Sequence, residues 1–314
     1  MRIILAQIYL FIKSTNLIFL AFSILWTAML IFINYNFQLQ SNWVFETNNI
    51  NMFYRQWLVF LLSYGLPLFL GLFFSKKYNT FLKPSFWLIF LLSTAVFAFT
   101  STYHLIDFTD FSSSNSNLLN YYHKLSFWLS QTVVVIVFTW IIWIIKDRKN
   151  MMFYGFGNAT LTTKKEEKGL KPYFLMLLIM VIPIFIAAQT SGFQNMYPRL
   201  DSIQKENYAA LNFIQYLFFE LGYGLNFVGI ELFFRGFLIS AFGFYIGKEA
   251  ILPMAIFYVT IHFGKPMGEC ISSFFGGALL GIVSFHTKSI KGGLLVHLGI
   301  AWMMEIAGWT AKFF

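Results

Sequence analysis

The side chains able to do chemistry lie in the least watery part of this chain. Glu220, Glu231, Arg235, His262, Glu269, His297 and Glu305 all fall in or beside apolar stretches after residue 208. An ionisable group near the centre of a bilayer costs about 2.5–3.5 kcal/mol on insertion scales, so such groups normally face a bundle interior or a wet cavity. Glu231 and Arg235 are four residues apart and can share a helix face. His262 precedes Phe263-Gly264-Lys265-Pro266, and His297 is followed by Ala301 and Glu305 at four-residue steps. Each has a plain structural use: an ion pair that fixes a helix, a helix-end imidazole, or an interhelical hydrogen bond. Together they make a chemical kit. A carboxylate with an imidazole can hold and deprotonate water, while a second imidazole donates to a developing oxyanion. The same groups describe a proton relay, and Glu231, His262 and His297 could instead hold zinc.

The elements that must position them are membrane helices. Of 314 residues, 58% are hydrophobic, 21% aromatic and only 11% charged. Ordinary soluble domains carry roughly 25% charged residues, so a soluble globule, a disordered chain and a disulfide scaffold are excluded. The single cysteine, Cys270, rules out an internal disulfide and a cysteine-based metal site. A span needs about 20 largely apolar residues. Five stretches without an acidic residue qualify: Leu17–Tyr35, Trp57–Phe74, Phe86–Phe99, Phe127–Ile145 and Tyr173–Ala188. Five more follow on short linkers: Ala209–Tyr223, Leu225–Tyr245, Ile251–His262, Cys270–Phe285 and Gly292–Ala311. The fold class is therefore all-α and polytopic, with about 9–10 transmembrane helices, the later ones packed as antiparallel neighbours. Gly277 and Gly281 offer a small-residue face for close helix contact.

Charge sorts the loops. The chain has 22 Lys+Arg against 13 Asp+Glu, a net +9. Basic residues gather at Arg2 and Lys13, at Lys76, Lys77 and Lys83, and through 146–172 with Lys164, Lys165 and Lys168. The positive-inside rule places these segments, and the N-terminus, in the cytoplasm. No basic, aromatic-laced polar surface suggests nucleic acid. Met1–Lys13 lacks a cleavage site and does not read as a removable signal. Thr100–Leu125, with its serine- and asparagine-rich tract at 112–117, reads as a flexible external loop, and the sequon Asn158-Ala-Thr160 as chance. The basic stretch divides the chain into an N-terminal transmembrane region, 1–172, and a C-terminal helical bundle, 173–314.

Three motifs in order carry a family resemblance: Ile230-Glu231-Leu232-Phe233-Phe234-Arg235-Gly236, Tyr258-Val259-Thr260-Ile261-His262 and His297-Leu298-Gly299-Ile300-Ala301. The set resembles the CPBP family, the CAAX-protease and bacteriocin-processing group of intramembrane endopeptidases, whose motifs run Glu-Glu-x-x-x-Arg, Phe-x-x-x-His and His-x-x-x-Asn or Asp. It covers about 211–314. The resemblance implies a CPBP-like core and a metal-free peptide hydrolase. Glu231 would activate water with His262, His297 would stabilise the oxyanion, and Arg235 would fix Glu231. Two positions depart from the pattern. Ile230 stands where the family has its water-activating Glu, and Ala301 where it has Asn. Glu269, seven residues beyond His262, and Glu305, two turns beyond His297, could supply a missing carboxylate.

The expectation is thus an intramembrane endopeptidase of the cell membrane, using no cofactor and acting on membrane-associated peptide substrates among membrane lipids. Two other readings remain open. One is a catalytically inactive family member serving as scaffold or immunity protein, favoured by Ile230 and Ala301. The other is a proton-coupled transporter, which the lack of an internal repeat disfavours.

Overall fold

The computed structural model describes residues 2–112, 116–149, 151–156, 170–203 and 211–312. Asn158, Thr160, Lys164, Lys165, Lys168 and part of the serine-rich tract lie outside the described residues. The α-helices are α1 (Arg2–Ser14), α2 (Leu17–Phe37), α3 (Asn49–Phe74), α4 (Pro84–Thr102), α5 (Ser116–Ile142), α6 (Lys171–Ala187) and two short turns, α7 (Ser191–Gln194) and α8 (Arg199–Ile203). They continue with α9 (Phe213–Glu231), α10 (Ile239–Ile246), α11 (Ile251–Thr260), α12 (Met267–Thr287) and α13 (Lys291–Thr310). No strand occurs among the described residues. Seven helical stretches are long and apolar enough to cross a membrane, Phe213–Thr260 counting as one, and α6 is a shorter apolar helix. The protein has an all-α polytopic membrane fold.

The later helices are divided differently from the expected spans. Ala209–Tyr223 and Leu225–Tyr245 are not separated by a link: α9 passes directly into a π-helical turn, Leu232–Leu238, and then α10. Gly224 between them costs a helix only about 1 kcal/mol, and its missing side chain admits the Trp302 ring, 3.0 Å from where a Cβ would stand. The real turn comes at Gly247, whose φ of 68° suits glycine, before α11. Two loop expectations also give way. The α3 helix starts at Asn49, ahead of Trp57, because the Asn48 side chain accepts from the Asn51 N–H and caps it. Its polar first turns are held by Gln40 Nε2 donating to Gln56 Oε1 at 3.2 Å and by Arg55 over the Trp43 ring. Within Thr100–Leu125, the α5 helix already begins at Ser116. The Ile106 and Phe108 N–H groups donate to Ser130 and Ser126 Oγ, both at 2.8 Å, docking the segment on α5.

Two compact units interleave along the chain. One comprises residues 1–103, 137–163 and 232–290; the other comprises 104–136, 164–231 and 291–314. In the first, α11 is buried along its whole length. Phe257 stands among Phe60, Tyr64, Phe97, Phe233 and Phe234 at ring separations of 4.9–6.1 Å. On its other side α12 presents Gly277 to Tyr258 and Gly281 to Met254. In the second unit, α9 meets α5 through Gly222 against Leu125 and Gly229 against Thr132. Between those notches buried Asn226 donates to Gln131 Oε1 at 2.8 Å. Helix α13 takes α6 against Gly292, at Tyr173, and Gly299, at Leu177. Small residues let these backbones close in where a bilayer offers no hydrophobic drive.

Candidate active site

The second unit holds a carboxylate–imidazole pair. Glu231, the last residue of α9, has no exposed surface, and its Oε1 accepts from His297 Nδ1 of α13 at 2.8 Å. The space for that carboxylate comes from Gly293, one turn before His297: a Cβ there would stand 2.9 Å from Glu231 Oε2. The Phe227 ring packs edge-on to the imidazole at 4.4 Å, leaving the His297 side chain 12% exposed. A carboxylate that accepts from Nδ1 selects the neutral tautomer protonated there, so Nε2 keeps its lone pair. The arrangement can take a proton at Nε2 and stabilise the resulting imidazolium, while Glu231 fixes the ring.

Ala301, one turn beyond His297, belongs to an apolar cluster with Tyr121, Leu125, Trp128, Leu200, Phe219 and Tyr223. A polar amide at this position would have to lose its water among those rings. The alanine suits the site it occupies. Glu305 is also buried, and its Oε2 accepts from the Arg199 backbone N–H at 2.8 Å, capping the start of α8.

The first unit holds the other motif residues. Arg235, 2% exposed, sits in the π-helical turn with its guanidinium carbon 3.9 Å from the centre of the Tyr258 ring. A cation over a desolvated aromatic face gains up to about 2 kcal/mol. Gly236 beside it is notched for the Tyr154 carbonyl, 2.5 Å from where a Cβ would be. His262 follows the end of α11, where the last carbonyls lack helical partners. Its Nδ1 donates to the Tyr258 carbonyl at 3.0 Å, and the two rings meet at 4.6 Å. That bond leaves Nε2 of the neutral ring as the acceptor. Tyr258, the motif's aromatic position, thus serves Arg235 with its ring and His262 with its backbone. Glu269 pairs with Lys265 at 2.8 Å, one helical turn apart.

Sequence reasoning passed over Gly293, Phe227 and the Asn226–Gln131 bond. The Gly292-Gly293 pair one turn ahead of His297 was the available signal, since adjacent glycines inside a predicted span mark close approach. Among the described residues, no three His, Cys, Asp or Glu side chains gather as a metal-binding group.

Residues 212–303 match the family described as Type II CAAX prenyl endopeptidase Rce1-like. The matched segment contains Glu231, Arg235, His262, Glu269, His297 and Ala301, and it ends before Glu305. The resemblance to the CPBP group is thereby shown for this part of the chain. The likeness to that family of endopeptidases extends over less than a third of the chain. No curated protein and no solved structure matches the chain.

Proposed function

We propose that this protein hydrolyses peptide bonds of membrane-embedded substrates, with the Glu231–His297 pair as its proton-handling centre. It would do so in the cell membrane with its N-terminus in the cytoplasm. The observation that carries the reading is the 2.8 Å bond between the buried carboxylate and Nδ1 of His297. Ile230 replaces the family's water-activating carboxylate by a hydrocarbon side chain, so the base must come from elsewhere. His297 Nε2 takes a proton from water as the water oxygen attacks the scissile carbonyl carbon. Glu231 stabilises the imidazolium, which then gives the proton to the leaving amide nitrogen as the C–N bond breaks. The products are a carboxylic acid and an amine. His262 and Arg235, which belong to the first unit, take no step in this sequence of proton transfers. What supports His297 as base, in place of oxyanion stabiliser, is that Glu231 has no exposed surface while His297 retains some.

Purified protein in liposomes, offered a panel of prenylated and unprenylated membrane peptides, tests this. Glu231→Gln and His297→Ala should each lower turnover by about 100-fold or more, with unchanged helical content and melting temperature. Equal cleavage by these variants and the parent would sink the assignment. A second reading, a non-catalytic peptide-binding member, is favoured by Ala301 lying in its aromatic nest. It predicts that the parent binds such peptides and releases no new amine from any of them.

A further inference from the structure

Outside the motif residues, the first unit carries a built cluster of cations and rings at the ends of three separate spans. Lys83 precedes α4, Lys146 lies in the π-helical turn that extends α5, and Phe244 and Tyr245 close α10. Both ammonium groups converge on a single ring: Lys83 Nζ is 5.6 Å and Lys146 Nζ 5.3 Å from the centre of Tyr245. The Tyr245 hydroxyl is tied to Ser85 Oγ at 3.0 Å, and its ring packs against Phe86 at 5.4 Å, so the platform is fixed. Lys146 also stands 5.4 Å from Phe244, which is 71% exposed.

Two like charges beside one aromatic ring repel each other, and what they have nearby offsets this only in part. Asp147 Oδ1 lies 3.5 Å from Lys146, but the buried carboxylate's other oxygen accepts from the Tyr154 hydroxyl at 2.6 Å. Burial and that bond together push the Tyr154 phenol far above its usual range. Lys83 has no carboxylate within ion-pair distance among the described residues. The pair therefore carries an excess positive charge at the level where the spans end and lipid headgroups begin.

The same rim gathers the other basic segments of this unit. Lys248, three residues after Tyr245, donates to Ser14 at the end of α1. The N-terminal, 75–83 and 146 segments, which charge bias assigns to one side, thus meet around the end of α10.

We propose that Lys83, Lys146 and the Phe244–Tyr245 edge form a binding site for the phosphate headgroup of an anionic phospholipid. The phosphate bridges the two ammonium groups, and the first acyl carbons run along exposed Phe244. Charge complementarity and the placement at span ends favour a membrane lipid over a soluble anion. Basic pockets of this kind at helix ends are how membrane proteins retain anionic lipids.

The test is lipid retention by the full-length protein, reconstituted in phosphatidylcholine discs containing phosphatidylglycerol and read by native mass spectrometry. The parent should hold phosphatidylglycerol in preference to phosphatidylcholine. Lys83→Gln and Lys146→Gln should each weaken that preference roughly fivefold; Lys83→Arg with Lys146→Arg should keep it. Lys76→Gln with Lys77→Gln removes two charges from the loop that ends at Lys83 and should leave it intact. Unchanged retention in the double glutamine variant overturns the site. So does an equal loss in the Lys76/Lys77 variant, which would mean diffuse charge only. Displacement of the lipid by inorganic phosphate overturns the lipid assignment.

Discussion

The two units surround Phe257 and Glu231 by different means. Around Phe257 the first unit interlocks large rings, Phe60, Tyr64, Phe97, Phe233 and Phe234, all fully buried. Around Glu231 the second unit works by omission. Gly222, Gly224, Gly229, Gly292, Gly293 and Gly299 each leave out a side chain where a neighbour from another helix presses in. Bulk makes a dry, rigid filling with few polar obligations; even the Tyr64 hydroxyl there has no hydrogen-bond partner. Omission brings backbones together and leaves polar groups such as Asn226 and Gln131 facing one another. Chemistry in lipid needs the second arrangement, since a buried carboxylate must have its partner within hydrogen-bond reach.

Truncating the ring core tests the first half of that contrast and carries the largest expected effect. Phe257→Ala removes a fully buried ring from among five others and leaves a cavity they cannot fill by small shifts. Losses of about 3–5 kcal/mol are usual for such changes. The variant should show a melting temperature many degrees lower in detergent. Phe257→Leu, which fills most of the space, should recover most of the loss. A near-parental melt for Phe257→Ala would mean that the rings are loosely packed and the contrast is false.

Adjacent glycines on α13 test the second half. A Cβ at Gly292 would stand 2.0 Å from the Tyr173 ring, while one at Gly293 would stand 2.9 Å from the tip of the Glu231 carboxylate. Three atoms of the Tyr173 ring stand within 2.6 Å of that position, so the ring or its helix must shift; a carboxylate tip can swing. Gly292→Ala should therefore lower stability, and Gly293→Ala should leave it almost unchanged. The rates should separate the other way. Displacing a catalytic group by about 1 Å can cost 100-fold in turnover, so Gly293→Ala should be the slow enzyme. Equal stability loss in both variants would show that the second position supports the helix contact and not the carboxylate.

These two tests also mark what a sequence can and cannot disclose. Membrane character, the all-α class and the three motifs follow from composition and from residue types at fixed spacing. The Gly277–Gly281 face could be read because its spacing is local. The helix run across Gly224 could not, because glycine weakens a helix without ending one, and the Trp302 ring that exploits it is far along the chain. The Asn49 start was hidden by a single capping side chain. The Glu231–His297 bond needs two helices to meet at one register, and spacing carries no record of that. Nor does it show that Ala301 faces a ring cluster, or that the Glu305 carboxylate is committed to the Arg199 N–H.

The smallest effect belongs to a second imidazole pair within the second unit, which sharpens the comparison at the level of single groups. His297 faces a carboxylate between two spans, whereas His104 faces His123, the rings 4.9 Å apart, at the edge of α5. Burial, foremost, and the neighbouring charges of His123 and Lys124 hold His104 below the usual histidine value; Asp107 opposes them. The unfolded segment therefore binds its proton at a higher pH than the docked one. Docking is fully stable above the ordinary histidine value near 6.5, weakens as pH falls through it, and levels off below the depressed native value. The reporters are the Ile106 and Phe108 amides, whose bonds to Ser130 and Ser126 exist only when the segment is docked. Their exchange protection should decline between about pH 7 and pH 5, and His104→Asn should flatten the decline. Protection that rises on acidification would show that Asp107, not burial and His123, governs the pair.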